Sequence, residues 1–471
     1  MSLALLVDFG STYTKARAVD LDDGRLVAGA QSPSTVAHDV SVGLEAALHQ
    51  LHAQLGQVPT YRWRLAASSA AGGLRMVTVG LVRELTAEAA RRAALGAGAR
   101  LVGSHAGRLT RADLAEITRL APDVLLLCGG TDGGNRDTII HNARQLAGAA
   151  LACPIIVAGN REAADDVTDL LPAAVHAANV MPELNVLAID SARDAIREVF
   201  MQRIVHAKGI DRVRGLLDNV LMPTPAAVLE AAQLLARGPG GDDGLGPLLV
   251  VDPGGATTDV HSIGDGAPTV AGAVCLGLPE PWAKRTVEGD LGMRHNAQAI
   301  VDAVGEARFC AESGLAPERL RALLVTVSKQ IDRLPMDETE HRLDLALGRM
   351  ALQLAVRRHA GTREVAYTAH GPVQVQRGKD LGAFATVIGT GGVLVASRQP
   401  AALMAALLAD PQRPGELCPV SPRCLIDRDY VLCAAGLLAA VEPRAAFELA
   451  RHSLQEAVDR EPIPQPSTAD V

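Results

Sequence analysis

The sequence predicts an α/β chain of two similarly built lobes, with a further α/β region inserted in the first. Three observations carry that expectation. The stretch LLVDFGSTYTK (Leu5 to Lys15) returns in altered form, half the chain later, as LLVVDPGGATTDV (Leu248 to Val260). Each copy heads the same pattern of strand, turn, strand, Asp/Gly turn, strand. Between the copies, apolar runs alternate with helical periodicity, the mark of a parallel or mixed sheet with helices on its faces.

In the first copy, ALLVDFG is a strand and YTKARAVDL, which alternates, is a second. LDDGR supplies an Asp-Gly hairpin turn, and LVAGAQS is the third strand. From Val40 to Leu55 the apolar residues fall at helical spacing. RWRLAAS and LRMVTVGLV are strand-like and are separated by SSAAGG. From Thr86, TAEAARRAALGAG reads as a capped helix. ARLVG, DVLLLCGG and PIIVAGN read as strands between the helices TRADLAEITRL, RDTIIHNARQLAG and REAADDVTDLL. ARDAIREVFMQRIV closes the region as a long helix.

GPGGDDGLGP (Gly238 to Pro247) breaks all periodicity and marks a loop between halves. LLVVDPGG, ATTDVHSIG and PTVAGAVCLG are then expected to repeat the three-stranded opening. Residues 295–360 read as mostly helical. AYTAHGPV and FATVIGTGG read as strand-to-loop transitions, and VLVASRQPAALMAALLA begins as strand or helix. REPIPQPSTADV is Pro-rich and reads as disordered. The expected organisation is a first lobe over 1–240 holding the insertion at about 60–190, a second lobe over 241–450, and a disordered tail over 451–471.

Composition narrows the function classes. A chain of 471 residues implies roughly two to four units. With 48% hydrophobic but only 2% aromatic residues, its cores must be built from Ala, Val and Leu. The net charge of −8 and the lack of a long Lys/Arg run give no electrostatic reason to bind nucleic acid. Seven cysteines are scattered with no C-x-x-C pair, which suggests neither a disulfide framework nor a zinc site; they read as ordinary core or surface residues. Thirteen histidines show no H-x-x-x-H spacing. The N-terminal apolar run is broken by Asp8 and lacks a basic start, so it does not read as a signal peptide. No uncharged stretch reaches the ~20 residues that span a bilayer. A soluble cytoplasmic protein with no membrane partner is expected.

The chemistry concentrates in three turns. In Asp8-Phe-Gly10-Ser11-Thr12-Tyr-Thr14-Lys15, a strand delivers an aspartate to a tight turn where Gly10 allows close backbone approach. Ser11 and Thr12 offer hydroxyls and N–H groups, and Lys15 a positive charge. Such a turn suits a terminal phosphate beside a hydrated Mg²⁺, although an ordinary hairpin fits this stretch alone as well. The second copy, Asp252-Pro-Gly254-Gly255-Ala256-Thr257-Thr258-Asp259, repeats the aspartate and glycine in register. Two facing turns of this kind would clamp a triphosphate between lobes. Val387-Ile-Gly389-Thr-Gly391-Gly392 follows another apolar strand. Its glycines would let backbone pack flat on a nucleoside, or simply turn a strand into a helix.

In this order, phosphate turn, phosphate turn, glycine-rich adenosine turn, the chain resembles the actin, hexokinase and heat-shock-chaperone ATPase superfamily. It resembles more closely the MutL-type accessory proteins of adenosylcobalamin-dependent glutamate mutase and related aminomutases, which are distinct from mismatch-repair MutL. The motifs carrying this are VDFGSTYTK, SSAAGGLRMVTVGLV, ELTAEAARRAALGAGA, LLLCGGTDGGN, VDPGGATTDV, TVEGDLGMR, GTGG and LIDRDYVLCAAGLLA, across residues 3–440. The resemblance implies duplicated actin-like, ribonuclease H-like lobes around a cleft for ATP and Mg²⁺. It implies that Asp8 meets the Mg²⁺ water shell and that Gly10, Ser11, Thr12 and Lys15 hold β- and γ-phosphates. Asp252 would orient the attacking water or balance the metal, Gly254, Gly255 and Thr257 would receive the γ-phosphate, and Gly389, Gly391 and Gly392 would pack on adenosine. Pro253 departs from the superfamily pattern and removes one N–H.

The implied role is a chaperone-like ATPase that reactivates an adenosylcobalamin-dependent mutase, its subunits being the partners, with a homo-oligomer left open. A small-molecule kinase of the same superfamily is the alternative. A dehydratase activator ranks last, because none of the cysteines has a convincing iron–sulfur arrangement. Two further stretches keep open readings. Cys128 to Asn135 is either an anion or partner site or a capped strand-to-helix turn. Glu288 and Asp290 either approach the cleft or, the favoured reading, belong to a solvated acidic loop.

Overall fold

The computed structural model describes residues 2–10, 12–35, 39–68, 74–149, 151–207, 216–241, 243–369 and 371–459. Ser11 and most of the SSAAGG stretch lie outside these residues. In the first sheet, β1 (Leu3–Phe9), β2 (Tyr13–Asp20) and β3 (Arg25–Pro33) form an antiparallel meander. β4 (Tyr61–Ser68) and β10 (Asn219–Pro223) add in parallel on the far side of β1, giving the order β10-β4-β1-β2-β3.

The second sheet repeats this plan. β11 (Leu248–Pro253) and β12 (Thr258–Ile263) are antiparallel, β14 (Ala283–Glu288) continues the meander, and β17 (Thr386–Gly389) and β18 (Arg423–Asp427) lie parallel beyond β11. The order β14-β12-β11-β17-β18 matches β3-β2-β1-β4-β10 strand for strand. The duplicated ribonuclease H-like α/β architecture is therefore present.

Three boundaries differ from expectation. The insertion, expected at about 60–190, lies instead between Ser68 and Asn219, because β4 pairs with β1 in the first sheet. PTVAGAVCLG was expected to be the third meander strand. Instead β13 (Val274–Leu276) joins a separate sheet with β15 (Thr362–Thr368) and β16 (Gly371–Arg377), and the supposed strand-to-loop transition AYTAHGPV lies in the β15–β16 hairpin. The true third strand, AKRTVE, carries charges that argue against a buried strand when read locally. They are tolerated because Lys284 pairs with Glu280 at 3.0 Å and Arg285 with Asp259. The tail boundary at 451 is also corrected. The helix Pro443–Ser453 and β19 (Leu454–Glu456) continue past it, and β19 pairs antiparallel with β18, whose edge groups it satisfies. Residues 460–471 lie outside the described residues.

Between β4 and β10 the chain builds the inserted region. β5 (Leu74–Gly80), β6 (Ala99–Ala106), β7 (Val124–Leu127), β8 (Ile155–Val157) and β9 (Val175–His176) form an all-parallel sheet in the order β6-β5-β7-β8-β9. The helix Glu88–Gly96, which follows β5 after a π turn at Arg83–Ala87, buries Ala89, Ala90, Ala93 and Ala94 completely. Small side chains let it lie close on its neighbours.

The lobes share one core. The helices Thr224–Arg237 and Leu432–Ala439 pack together between the two sheets, with Leu6 and Leu65 on one side and Val250 and Ile388 on the other. Their approach is so close that a Cβ on Gly436 would lie 1.7 Å from the Ala227 carbonyl oxygen. No helix among the described residues is long and apolar enough to cross a membrane.

Candidate functional site

Strands β1 and β11 bring their aspartates to the same cleft. In each copy a glycine N–H closes the turn onto a carbonyl three residues on: Gly10 to Tyr13 at 3.0 Å, and Gly254 to Thr257 at 2.8 Å. At Gly10 the residue type is obligatory, because a Cβ would sit 2.6 Å from the Tyr13 oxygen. The hydroxyl of Ser34 at the end of the meander holds the first turn by donating to Gly10 O at 2.8 Å. The second turn is held by Met293 N to Gly254 O and Arg294 N to Gly255 O, and Gly292 sits against Ala256 where no side chain fits. The two turns face each other closely: a Cβ on Gly255 would lie 3.3 Å from Thr12 Oγ1.

Around them opens a cavity of about 1110 Å³, lined by Asp8, Thr12, Lys15, Asp252, Gly255 and Thr257 among others. Both Asp8 oxygens are engaged: Oδ1 accepts from Thr224 Oγ1 at 2.6 Å and Oδ2 from Lys15 Nζ at 3.1 Å. Register explains the latter, since Asp8 and Lys15 are paired across β1 and β2. Lys15 Nζ also lies 4.0 Å from the Tyr430 ring centre. Burial opposes the Lys15 charge, but Tyr430 and Asp8 hold its pKa above the ordinary lysine value. Tyr430 is itself pushed up to about 12 by burial. Its backbone is left-handed, with φ of 53°, which is rare for a bulky residue and concentrated at functional sites.

Asp252 differs from Asp8. Its carboxylate has no hydrogen-bond or ion-pair partner among the described residues. Burial raises its pKa to about 7, assisted by Asp259, Asp8 and Asp427 and opposed by Lys15. Where the two turns meet, Asp8 and Asp252 face one another with Lys15 the cation paired to Asp8 and none paired to Asp252 among the described residues. That arrangement suits a divalent cation held by one or two carboxylates together with phosphate oxygens, as Mg²⁺ usually is. No cluster of three or more His, Cys, Asp or Glu is present among the described residues, and this mode of binding does not require one.

The glycines of the third turn divide. Gly392 lines the cleft. Gly391, with φ of 93°, backs onto Asp252, where a Cβ would meet Oδ1 at 2.6 Å. Gly389 is buried in β17 behind the cleft wall, against Met404, Leu394 and Ile426. Other cleft residues were not assigned to the site from the sequence: Thr224, Tyr430, and the Arg294–Asp344 ion pair at 2.6 Å, although Tyr430 and Arg294 lie within the motifs LIDRDYVLCAAGLLA and TVEGDLGMR. The loop from Cys128 to Asn135 does not line this cavity. Asn179 Nδ2 donates to Gly130 O and Asp132 Oδ1, and Asp132 N to Pro182 O, so the loop is knitted to itself and its neighbours. Glu288 and Asp290 both receive Arg358, at 2.7 and 2.8 Å.

A family model described as MutL protein matches residues 4–454. Protein MutL of Clostridium tetanomorphum is 44% identical over 459 residues, covering 96% of this chain and 99% of that protein. Among solved structures, a diol dehydratase-reactivating factor in nucleotide-free form aligns over 94% of this chain and 100% of its own, at 10% identity and a TM-score of 0.36. An activator of 2-hydroxyisocaproyl-CoA dehydratase from Clostridium difficile, with bound ADPNP, aligns over 96% of each chain at 9% identity and a TM-score of 0.29.

Proposed function

The chain belongs to the MutL protein family, and from that premise we propose that it is an ATP-binding, chaperone-like ATPase that reactivates an adenosylcobalamin-dependent mutase such as glutamate mutase. The observation that carries the nucleotide part is the meeting of two like-built turns, each with a strand-end aspartate, across one cleft. Backbone N–H groups and hydroxyls of Ser11, Thr12, Gly255 and Thr257 bind β- and γ-phosphates, while Gly10 and Gly254 hold the two turns in shape. Lys15 balances Asp8 and the phosphates. Gly392 and the neighbouring Val393 and Val395 form the nucleoside wall, with Gly391 and Gly389 setting its backbone path. Asp8 and Asp252 would hold Mg²⁺, which would supply charge neutralisation at the phosphates. Asp252, whose carboxylate has no partner among the described residues, orients the attacking water and takes its proton.

The size of the cavity favours one alternative. About 1110 Å³ exceeds the roughly 300–1,000 Å³ of ordinary small-molecule pockets, leaving room for an acceptor beside a nucleotide, as in a small-molecule kinase. One experiment separates the two. A mutase inactivated in turnover is incubated with this protein, ATP, Mg²⁺ and fresh cofactor. Recovery that requires ATP supports the reactivase. No recovery, with a phosphorylated product emerging from a metabolite screen, replaces it with the kinase.

A further inference from the structure

Beside the cleft, a buried ionic chain leaves the second phosphate turn and ends in the inserted region. Thr257 Oγ1 donates to Asp259 Oδ2 at 3.1 Å, and Arg285 Nε donates to Asp259 Oδ1 at 2.8 Å. The other arm of the same guanidinium donates to Leu95 O at 2.8 Å and Ala99 O at 3.1 Å. These carbonyls flank the end of the helix Glu88–Gly96 and the start of β6, so Arg285 is the bolt between the second lobe and the inserted sheet. The Arg285 and Asp259 side chains are only 2% and 9% exposed, so water does not readily replace these bonds. Next to the bolt, His261 pairs in register with Arg285, is fully buried, and has no partner at either ring nitrogen.

We infer that Arg285 is a positioning residue through which the γ-phosphate site controls how firmly the inserted region is docked. The inference rests on the proposed nucleotide site. Its basis is one proton. A threonine hydroxyl donates a single hydrogen bond. When a γ-phosphate occupies the second turn, Thr257 donates to a phosphate oxygen and no longer to Asp259. Arg285 is then the remaining hydrogen-bond donor to Asp259 among the described residues. Its planar fork of donors is rigid, so drawing it further onto the carboxylate weakens its bonds to Leu95 and Ala99. ATP loosens the bolt and ADP, lacking the γ-phosphate, does not. A separate tie holds the same helix: Arg92 pairs with Glu280 at 2.8 Å and reaches Pro279 O, with no link to the phosphate turn.

The test is amide hydrogen exchange over residues 88–106 of the full chain with Mg²⁺ and either ATP or ADP, after calorimetry has established binding. The wild-type segment should exchange about tenfold faster with ATP than with ADP, within the usual range of coupling between sites. Arg285→Gln should bind ATP yet lose that difference. Arg92→Gln should raise exchange with both nucleotides and keep it. If Arg285→Gln does not fold, Arg285→Lys serves: its point-like head still meets Asp259 but cannot span both carbonyls, and the same loss is expected. No ATP binding by the wild type sinks the nucleotide reading and this inference together. Binding with equal exchange in ATP and ADP sinks the inference alone. So does a difference that survives in the Arg285 variant, or one that is also lost in Arg92→Gln.

Discussion

Asp252 and Lys15 sit in the same cleft but are handled oppositely, one left unpartnered and the other clasped. In the proposed hydrolysis Asp252 acts ionised. For the protein alone its pKa is raised to about 7, chiefly by burial, and Mg²⁺ beside it would favour the ionised form, so hydrolysis of Mg·ATP should not depend on this group's titration near pH 7. Asp252→Asn should bind ATP and hydrolyse it at least ~10²-fold more slowly. An unchanged rate would remove Asp252 from the chemistry. The stability of the protein alone should carry the titration instead: a raised carboxyl pKa favours the protonated form, so this group's contribution is lost as pH rises through about 7. Lys15→Ala should weaken ATP far more than adenosine in calorimetry, because the ammonium, held at Asp8, is proposed to meet the phosphates. Equal losses would mean that it only supports the fold. Both residues were legible because each stands beside a turn with its own local signature. Thr224 and Tyr430 were not assigned to the site, although Tyr430 lies in the motif LIDRDYVLCAAGLLA. They reach the site from the start of one helix and a strained residue ahead of another, and only the folded sheets bring those ends to Asp8 and Lys15.

At the scale of elements, the sharpest constraint is the crossing of Thr224–Arg237 with Leu432–Ala439. Gly436→Ala drives a methyl into the Ala227 carbonyl, a clash with backbone that no rotamer relieves. It should lower stability by about 3 kcal/mol, the upper part of the range for overpacking, read as a fall in the urea midpoint. The second-lobe sheet supplies a pH test. His359 is buried between Thr286 and Ser262, at 2.8 and 2.7 Å, and burial first, then Lys284 and Lys379, holds its pKa well below the ordinary 6.5. The unfolded chain takes up this proton near pH 6.5 while the native chain resists it. Stability from this group is complete above that pH and is lost as pH falls toward the depressed native value. The urea midpoint should begin to drop below about pH 6.5. Elements with clean periodicity were readable, including β5 to β8 of the insertion and both meander openings, but not the two-residue β9. The third strand of the second meander was not. Its Lys284 and Arg285 look wrong for a buried strand until their acids arrive, Asp259 from the strand alongside and Glu280 from just upstream. The exposed apolar residues of β13, Val274 and Leu276, imitated it.

For the whole molecule, the position of the insertion matters as much as its content. The chain leaves the first sheet after Ser68 and re-enters it at Asn219, and β4 and β10 are immediate neighbours there. Two adjacent parallel strands always require a crossover of a dozen or more residues. The inserted sheet therefore occupies a detour that the lobe must make anyway, and the helix Asp190–Ala207, which packs near β10, is long enough to serve as that detour by itself. Not one strand pairing of the first sheet depends on what lies in between. The lobe carries a socket. The module seated there is no appendage, for Met76, Ala89 and Val124 share one buried core with Leu5, Val7 and Phe9 of β1, so any shift in how it sits bears directly on the strand that carries Asp8.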